Sequence, residues 1–233
     1  MGAHEDAQPP AEPPRRGRPI AECTPLDLEV HRAITMEGHP ELPLLPRYVT
    51  RAHDEQLRLV IEATAAGSSR LAMLVGGSST GKTRACWEAI QALDERWRVW
   101  HAIDPSRPGA AAAALAEVGP HTVLWVNDAQ HYLLTADPAL GERVAAGLRT
   151  LLTDHQRGPV LVIGTIWPEF WHRLTATRHP NDPDPYAQAR QLLTGTEIVV
   201  PDAFTAADRR RCGWRRPRTS DCGAPPSTPI LAA

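Results

Sequence analysis

Short apolar runs alternate along this chain with stretches in which apolar residues recur every three or four positions, a pattern that predicts strands separated by helices. Residues 53–66 place Leu57, Val60, Ile61 and Thr64 at helical spacing, with Gly67 as a stop. Residues 71–75 then form an apolar run ending in glycines, and residues 84–93 read as an amphipathic helix. The alternation continues with strands at 98–103, 122–126 and 160–163 and helices at 110–118 and 140–152. Two further helices, 170–177 and 186–193, lead to a last strand at 197–200. Near-continuous apolar strands of this kind suit a mainly parallel, five-stranded sheet covered by helices on both faces, an α/β three-layer sandwich.

The flanks have a different character. Residues 1–25 carry six prolines among small and charged residues, which predicts a disordered leader. Residues 26–46 read as a linker or docking arm, with one short helix over 26–34 and then Pro40, Pro43 and Pro46. The compact domain is expected over 47–205, followed by an Arg- and Pro-rich unstructured tail at 206–233. The 233 residues carry a formal net charge of −2, which offers no global field to recruit nucleic acid or an anionic membrane. The arginines at 209–218 are read as a solvated tail, with a nucleic-acid contact as the alternative. The four cysteines have neither CxxC nor zinc-ligand spacing, the ten histidines show no paired metal spacing, and no apolar run approaches the ~18 residues of a membrane span. These features predict a soluble, reduced, cytoplasmic protein.

Within this frame one motif carries chemistry. Gly76, Gly77, Ser78, Ser79, Thr80, Gly81, Lys82 and Thr83 fit GxxxxGK[ST] between a predicted strand and a predicted helix, the context of a Walker A phosphate loop. Glycines let the backbone wrap an anion so that successive N–H groups and a helix N-terminus face it. Lys82 is the sole lysine of the chain, the one place where a compact ammonium is kept in an arginine-rich sequence. Lys82 is expected on the β- and γ-phosphates of ATP, and the Thr83 hydroxyl on Mg²⁺. Residues 123–128 read as a Walker B strand that delivers Asn127 and Asp128 at its carboxyl end, both candidate metal ligands, with Asp128 as the carboxylate that polarises an attacking water. Asn127 stands where an aspartate is usual, which predicts weaker metal binding and slow turnover; a buried strand with an Asn-Asp turn is the plain alternative. Thr165, at the end of the next strand, is either a γ-phosphate sensor or an ordinary strand-end threonine.

With one lysine, the Asn/Thr-Lys-x-Asp guanine motif cannot exist, so adenine is favoured. Residues 45–204 resemble P-loop ATPase modules of large multidomain proteins from high-GC bacteria, related to the AAA+ and STAND classes. The likeness rests on Leu45-Pro46-Arg47-Tyr48-Val49 with Arg51, His53 and Asp54, on Leu74 through Arg84, on Val123 through Gln130, and on Gly164-Thr165 with Trp167-Pro168-Glu169. Tyr48-Val49-Thr50-Arg51 resembles the F-V-G-R box of STAND proteins, with Thr50 in place of the glycine. The resemblance implies that Val49 packs on adenine, that Arg84 lies beside the nucleotide, and that ATP binding and hydrolysis drive a switch read out by a protein partner or by further domains, with oligomerisation open. By the same resemblance the chain looks C-terminally truncated. Three readings stay open: a slow regulatory ATPase, a non-hydrolysing nucleotide-binding module or fragment, and a small-molecule kinase.

Overall fold

A computed structural model describes residues 16–32, 43–102, 107–177 and 183–211. It is an α/β fold built on a mixed six-stranded sheet. The elements are strand β1 (Arg18–Pro19), helix α1 (Ala52–Ala65), β2 (Arg70–Val75), α2 (Lys82–Ile90), β3 (Arg98–His101), α3 (Arg107–Ala114), β4 (Thr122–Val126), α4 (Gln130–Leu133), α5 (Pro138–Thr153), β5 (Val160–Ile166), α6 (Pro168–Thr175), α7 (Ala187–Leu193), β6 (Glu197–Val199) and α8 (Ala206–Arg211). The strands lie in the order β1-β3-β4-β5-β2-β6. All neighbours from β3 to β6 pair parallel, and β1 adds an antiparallel edge.

Alternation along the central strands splits the interior in two. Ala72, Leu74, Val123, Trp125, Leu161 and Ile163 face α1 and α2, whereas Met73, Val75, Leu124, Val126, Val160 and Val162 face the core built with α3 to α7. A sheet with apolar side chains on both faces has to be covered on both. Helix α1 turns His53, Leu57, Ile61 and Thr64 inward, spaced by three or four residues, and its first turn is closed by the Arg51 N–H donating to Asp54 Oδ2 at 2.6 Å. Helix α5 starts at an Asp137 cap and buries Val144, Ala145, Leu148 and Leu151.

The structure departs from the sequence reading at both flanks. Residues 16–30, expected as the end of a leader and the start of an arm, are part of the domain. Two helices do not cover the whole face that carries Val99 and Trp125, and Ile20 and Leu28 complete the cover. Gly17, at φ +91°, brings the chain against β3, where an added Cβ would stand 2.6 Å from the Val99 carbonyl oxygen. The Arg98 guanidinium binds the Gly17 carbonyl oxygen at 2.6 and 3.0 Å, and Trp125 Nε1 donates to the Leu28 carbonyl oxygen at 3.1 Å. The helix expected over 26–34 is a single 3-10 turn, Pro25–Leu28, capped by Thr24 and Asp27; residues 33 and 34 lie outside the described residues.

At the other end α8 begins where an unstructured tail is expected. Its start is fixed by a reciprocal cap, the Thr205 N–H and hydroxyl donating to Asp208 Oδ2 at 2.8 Å, with Asp208 N–H returning to Thr205 Oγ1. Strand β5 runs to Ile166 instead of Ile163, because Gly164, Thr165 and Ile166 pair with Met73, Leu74 and Val75. Helix α2 starts at Lys82 and ends at Ile90, short of the expected Leu93. The leader up to residue 15, the tail from 212 and Ile103 of the second expected strand lie outside the described residues. No helix among the described residues is long and apolar enough to cross a membrane.

Because Leu28 is buried against Trp125 and its neighbours, Leu28→Ala is expected to cost about 2–5 kcal/mol of unfolding free energy by leaving a cavity. Equilibrium urea unfolding measures this, and an unchanged midpoint would show that residues 16–30 contribute nothing to the folded core.

Candidate functional site

Between β2 and α2 the backbone makes a tight excursion, closest to neighbouring main chain at Gly76. An added Cβ at Gly76 would stand 2.7 Å from the Val200 carbonyl oxygen, and one at Gly77 would stand 2.8 Å from Asp202 Oδ1. Ser79 and Gly81 both lie in the left-handed region, at φ +57° and +90°. Left-handed residues alternating with ordinary ones turn successive N–H groups toward one side of a loop, which makes a concave site for an anion. Gly81 is the N-cap of α2, so the unpaired amides of the first helical turn face the same space.

Lys82 is buried, at 7 % exposure, and its Nζ donates to the carbonyl oxygens of Gly76 at 2.8 Å and Gly77 at 2.6 Å. An ammonium has three N–H groups, so one is left for a ligand in the cavity beside it. Burial pushes the Lys82 pKa down, opposed by the charge of Asp128. An anion bound there would be favoured twice, by the hydrogen bond and by relief of that desolvation.

Opposite the loop, the carboxyl ends of β4 and β5 deliver a network of hydroxyls. Asn127 Oδ1 accepts from Thr83 Oγ1 at 3.1 Å and from Thr165 Oγ1 at 2.7 Å. Thr165 Oγ1 in turn accepts from the Asp128 N–H at 2.9 Å, and Asp128 is held in the left-handed region at φ +53°. Gly164 is what lets the two strand ends close up, since a Cβ there would stand 2.4 Å from the Val126 carbonyl oxygen.

Two expectations change with this geometry. The Asn127 oxygen, expected as a metal ligand, has both acceptor positions taken by hydroxyls, so it organises the donors instead of offering a lone pair. Thr165 lies in the cavity wall, with its proton committed to Asn127. The oxygens left for a cation are the Thr83 hydroxyl and the Asp128 carboxylate, both lining a cavity of about 660 Å³ with Ser78 to Arg84. The described residues contain no cluster of three or more His, Cys, Asp or Glu able to hold a metal by itself. One carboxylate and one hydroxyl fit a hydrated Mg²⁺ that takes its remaining ligands from water and from an anion, which is how that ion is commonly held.

A second, smaller cavity of about 190 Å³ shares Ser79, Thr80, Gly81 and Arg84 with the first. Its wall includes Tyr48, Val49 and Phe204. Arg51, which is buried, ties this wall to the loop: it donates to the Thr80 carbonyl oxygen at 2.9 Å and to the Pro201 carbonyl oxygen, and lies 4.8 Å from the Phe204 ring centroid. The Tyr48 hydroxyl donates to Asp54 Oδ1 at 2.6 Å, and the Arg84 guanidinium sits 5.6 Å from the Tyr48 ring. Burial, followed by the bond to Asp54, pushes the Tyr48 pKa far up, so the phenol stays neutral.

Sequence reasoning missed the contribution of residues 29–32. Val30, His31 and Arg32 line the larger cavity, and the Glu29 carboxylate accepts from Asn127 Nδ2 at 2.9 Å and pairs with Arg107. Burial opposes ionisation of Glu29, but the bonds from Asn127 and Arg107 outweigh it and hold the pKa below the usual value. The available signal was the Thr24-x-x-Asp27 pattern, a cap that ends in Glu29 at φ +60° and aims the chain at the strand ends. Compared with known proteins, the chain matches no family model and no curated protein sequence.

The buried imidazoles give a pH dependence. Desolvation lowers the pKa of His53 and of His101 below 6.5, so both are neutral in the fold and the unfolded chain binds more protons once pH falls beneath that value. Stability is therefore lost as pH falls through 6.5 toward the lowered folded values, and Glu29 extends the loss as pH falls below its unfolded value of 4.5. Denaturation midpoints measured from about pH 7.5 to about pH 5 are expected to fall steadily; a flat profile would mean that these imidazoles are not buried as neutral groups.

Proposed function

We propose that the chain is an ATP-binding P-loop NTPase module that holds Mg-ATP across the two cavities that share Ser79 to Gly81 and Arg84. The observation that carries this reading is the buried Lys82 ammonium, held by two loop carbonyls beside left-handed Ser79 and Gly81, with one N–H to spare. A polyanion is the ligand for which an inward-curved row of amides and a desolvated cation are suited. In this reading the amides from Gly76 to Gly81 and the α2 N-terminus take the phosphate oxygens, and Lys82 reaches the β- and γ-phosphates. The base and ribose lie toward Tyr48, Val49 and Arg84, and the absence of any second lysine leaves adenine favoured over guanine.

Mg²⁺, when bound, would supply positive charge to the phosphate oxygens, and Thr83 and Asp128 would hold it. In this reading Asp128 accepts a proton from the attacking water, and Thr165, whose own proton goes to Asn127, positions Asn127 and the Asp128 N–H instead of donating to the γ-phosphate. The position of β5 between β2 and β4 supports the ATPase division with an added central strand, within the three-layer P-loop class. A STAND- or AAA+-like switch in the cytoplasm, read out by a protein partner or further domains, is the biological role that we assign. The neutral Asn127 favours one second reading, a module that binds nucleotide without useful turnover.

Titration of the purified chain with ATP and GTP, with and without Mg²⁺, tests the proposal. Lys82→Ala is expected to weaken ATP binding by about tenfold to a hundredfold, the scale of a lost charge-assisted hydrogen bond. Unchanged affinity would overturn the assignment of the loop. Thr83→Ala is expected to remove the gain in affinity that Mg²⁺ gives while sparing metal-free binding. For turnover, Asp128→Ala should abolish phosphate release with binding retained; no release from the wild type would select the non-hydrolysing reading.

A further inference from the structure

We infer that Glu29 is a positioning residue that fixes which way the Asn127 carboxamide faces, and thereby presents the Thr83 hydroxyl oxygen to the cavity as a cation ligand. The inference rests on the P-loop reading for what Thr83 binds, and on geometry for how it is presented.

A carboxamide can turn either its oxygen or its nitrogen toward a neighbour, and the two choices have opposite effects on the hydroxyls beside it. With Oδ1 toward Thr83 and Thr165, as found, each hydroxyl donates its proton to Asn127. The lone pairs of Thr83 Oγ1 are then free to face the cavity. With the amide reversed, the nitrogen would donate to both hydroxyls, occupy a Thr83 lone pair and free its O–H to point at the place where a cation should sit. An aspartate at this position would not face the choice, because both of its oxygens accept. Asn127 therefore needs something to set its orientation.

Glu29 supplies it. An ionised carboxylate only accepts, so the Asn127 atom 2.9 Å from Glu29 Oε2 has to be the amide nitrogen. Glu29 is itself held: Arg107 pairs with its Oε1 and also approaches the Asn127 backbone carbonyl oxygen at 3.5 Å, and His101 Nε2 lies 3.7 Å from Glu29 Oε2. Its left-handed backbone at φ +60° closes the capped turn whose Leu28 is buried in the core. The carboxylate that position 127 lacks is thus present one side chain further back, delivered by residues 16–32 and balanced by Arg107. Docking of that segment and readiness of the cation site are consequently linked.

A carboxylate swap tests this, with a fluorescent ATP analogue titrated into the full chain with and without Mg²⁺ and with melting temperature as a second readout. Glu29→Gln keeps the shape but can itself turn, so it is expected to reduce the Mg²⁺-dependent gain in affinity by about tenfold, with metal-free affinity unchanged. Asn127→Asp alone sets two carboxylates against each other and is expected to lower both that gain and the melting temperature. The double variant Glu29→Gln, Asn127→Asp, with one carboxylate and one amide again, is expected to recover both to within about twofold of wild type in affinity. Overturning results are a Glu29→Gln chain that keeps the full Mg²⁺ effect, a double variant no better than either single one, or a Glu29→Gln chain that loses metal-free affinity and melting temperature together. If the wild type itself shows no ATP affinity, the nucleotide reading falls and this inference with it; if the wild type binds Mg-ATP and Glu29→Gln binds it equally, this inference alone falls.

Discussion

The Lys82 ammonium sits almost out of solvent against two carbonyl oxygens of its own loop, and much of the architecture around it can be understood as what that placement requires. A buried cation loses hydration that two hydrogen bonds do not fully replace. The loop has to curl for its carbonyls to reach Nζ, which calls for left-handed backbone at Ser79 and Gly81 and for the absence of a side chain at Gly76. The same curl turns the amides outward into the cavity. One conformational solution thus satisfies the cation and leaves a concave face beside it, the anion site that we propose.

The strand ends opposite solve a different problem, that of orienting hydroxyl protons. Thr83, Thr165, Asn127 and the Asp128 N–H form a chain in which each donor has one acceptor, and the chain is anchored at Glu29. Buried polar groups so paired specify a single arrangement, because reversing the Asn127 amide would set its oxygen against the Glu29 carboxylate, acceptor against acceptor. Gly164 matters here for packing alone, since the strand ends could not approach with a Cβ between them. Arg51 performs the equivalent task for the smaller cavity, binding carbonyls from the loop and from the segment after β6.

Residues 16–30 show how a proline-rich composition can mislead. Pro19 lies in the edge strand β1, and Pro25 opens a capped 3-10 turn, both places where a missing N–H costs little. Proline marked these positions as poor helix and central-strand material, and they are neither. The gain that orders them is burial of Ile20 and Leu28 on a sheet face that two helices leave partly bare. The same holds at α8, where the Thr205 and Asp208 pair gives a start signal within an arginine-rich stretch.

What the sequence by itself determined was set by local chemistry. Periodicity placed strands β2 to β6 and the main helices, because apolar spacing reflects which side of an element is covered, and the GxxxxGKT loop and the Asn127-Asp128 pair could be singled out because each is a run of adjacent residues. Strand β1, the full length of β5 and the docking of residues 16–30 were decided by the tertiary structure, since each depends on what a distant segment leaves uncovered or unpaired. The same division runs through the site. Residue identities named Lys82, Thr83 and Asp128, but the commitment of the Asn127 oxygen to two hydroxyls, and the arrival of Glu29 from 98 positions away, are properties of three-dimensional hydrogen-bond accounting. A donor's partner is fixed by which atoms meet in space, and the order of residues along the chain does not encode that meeting locally.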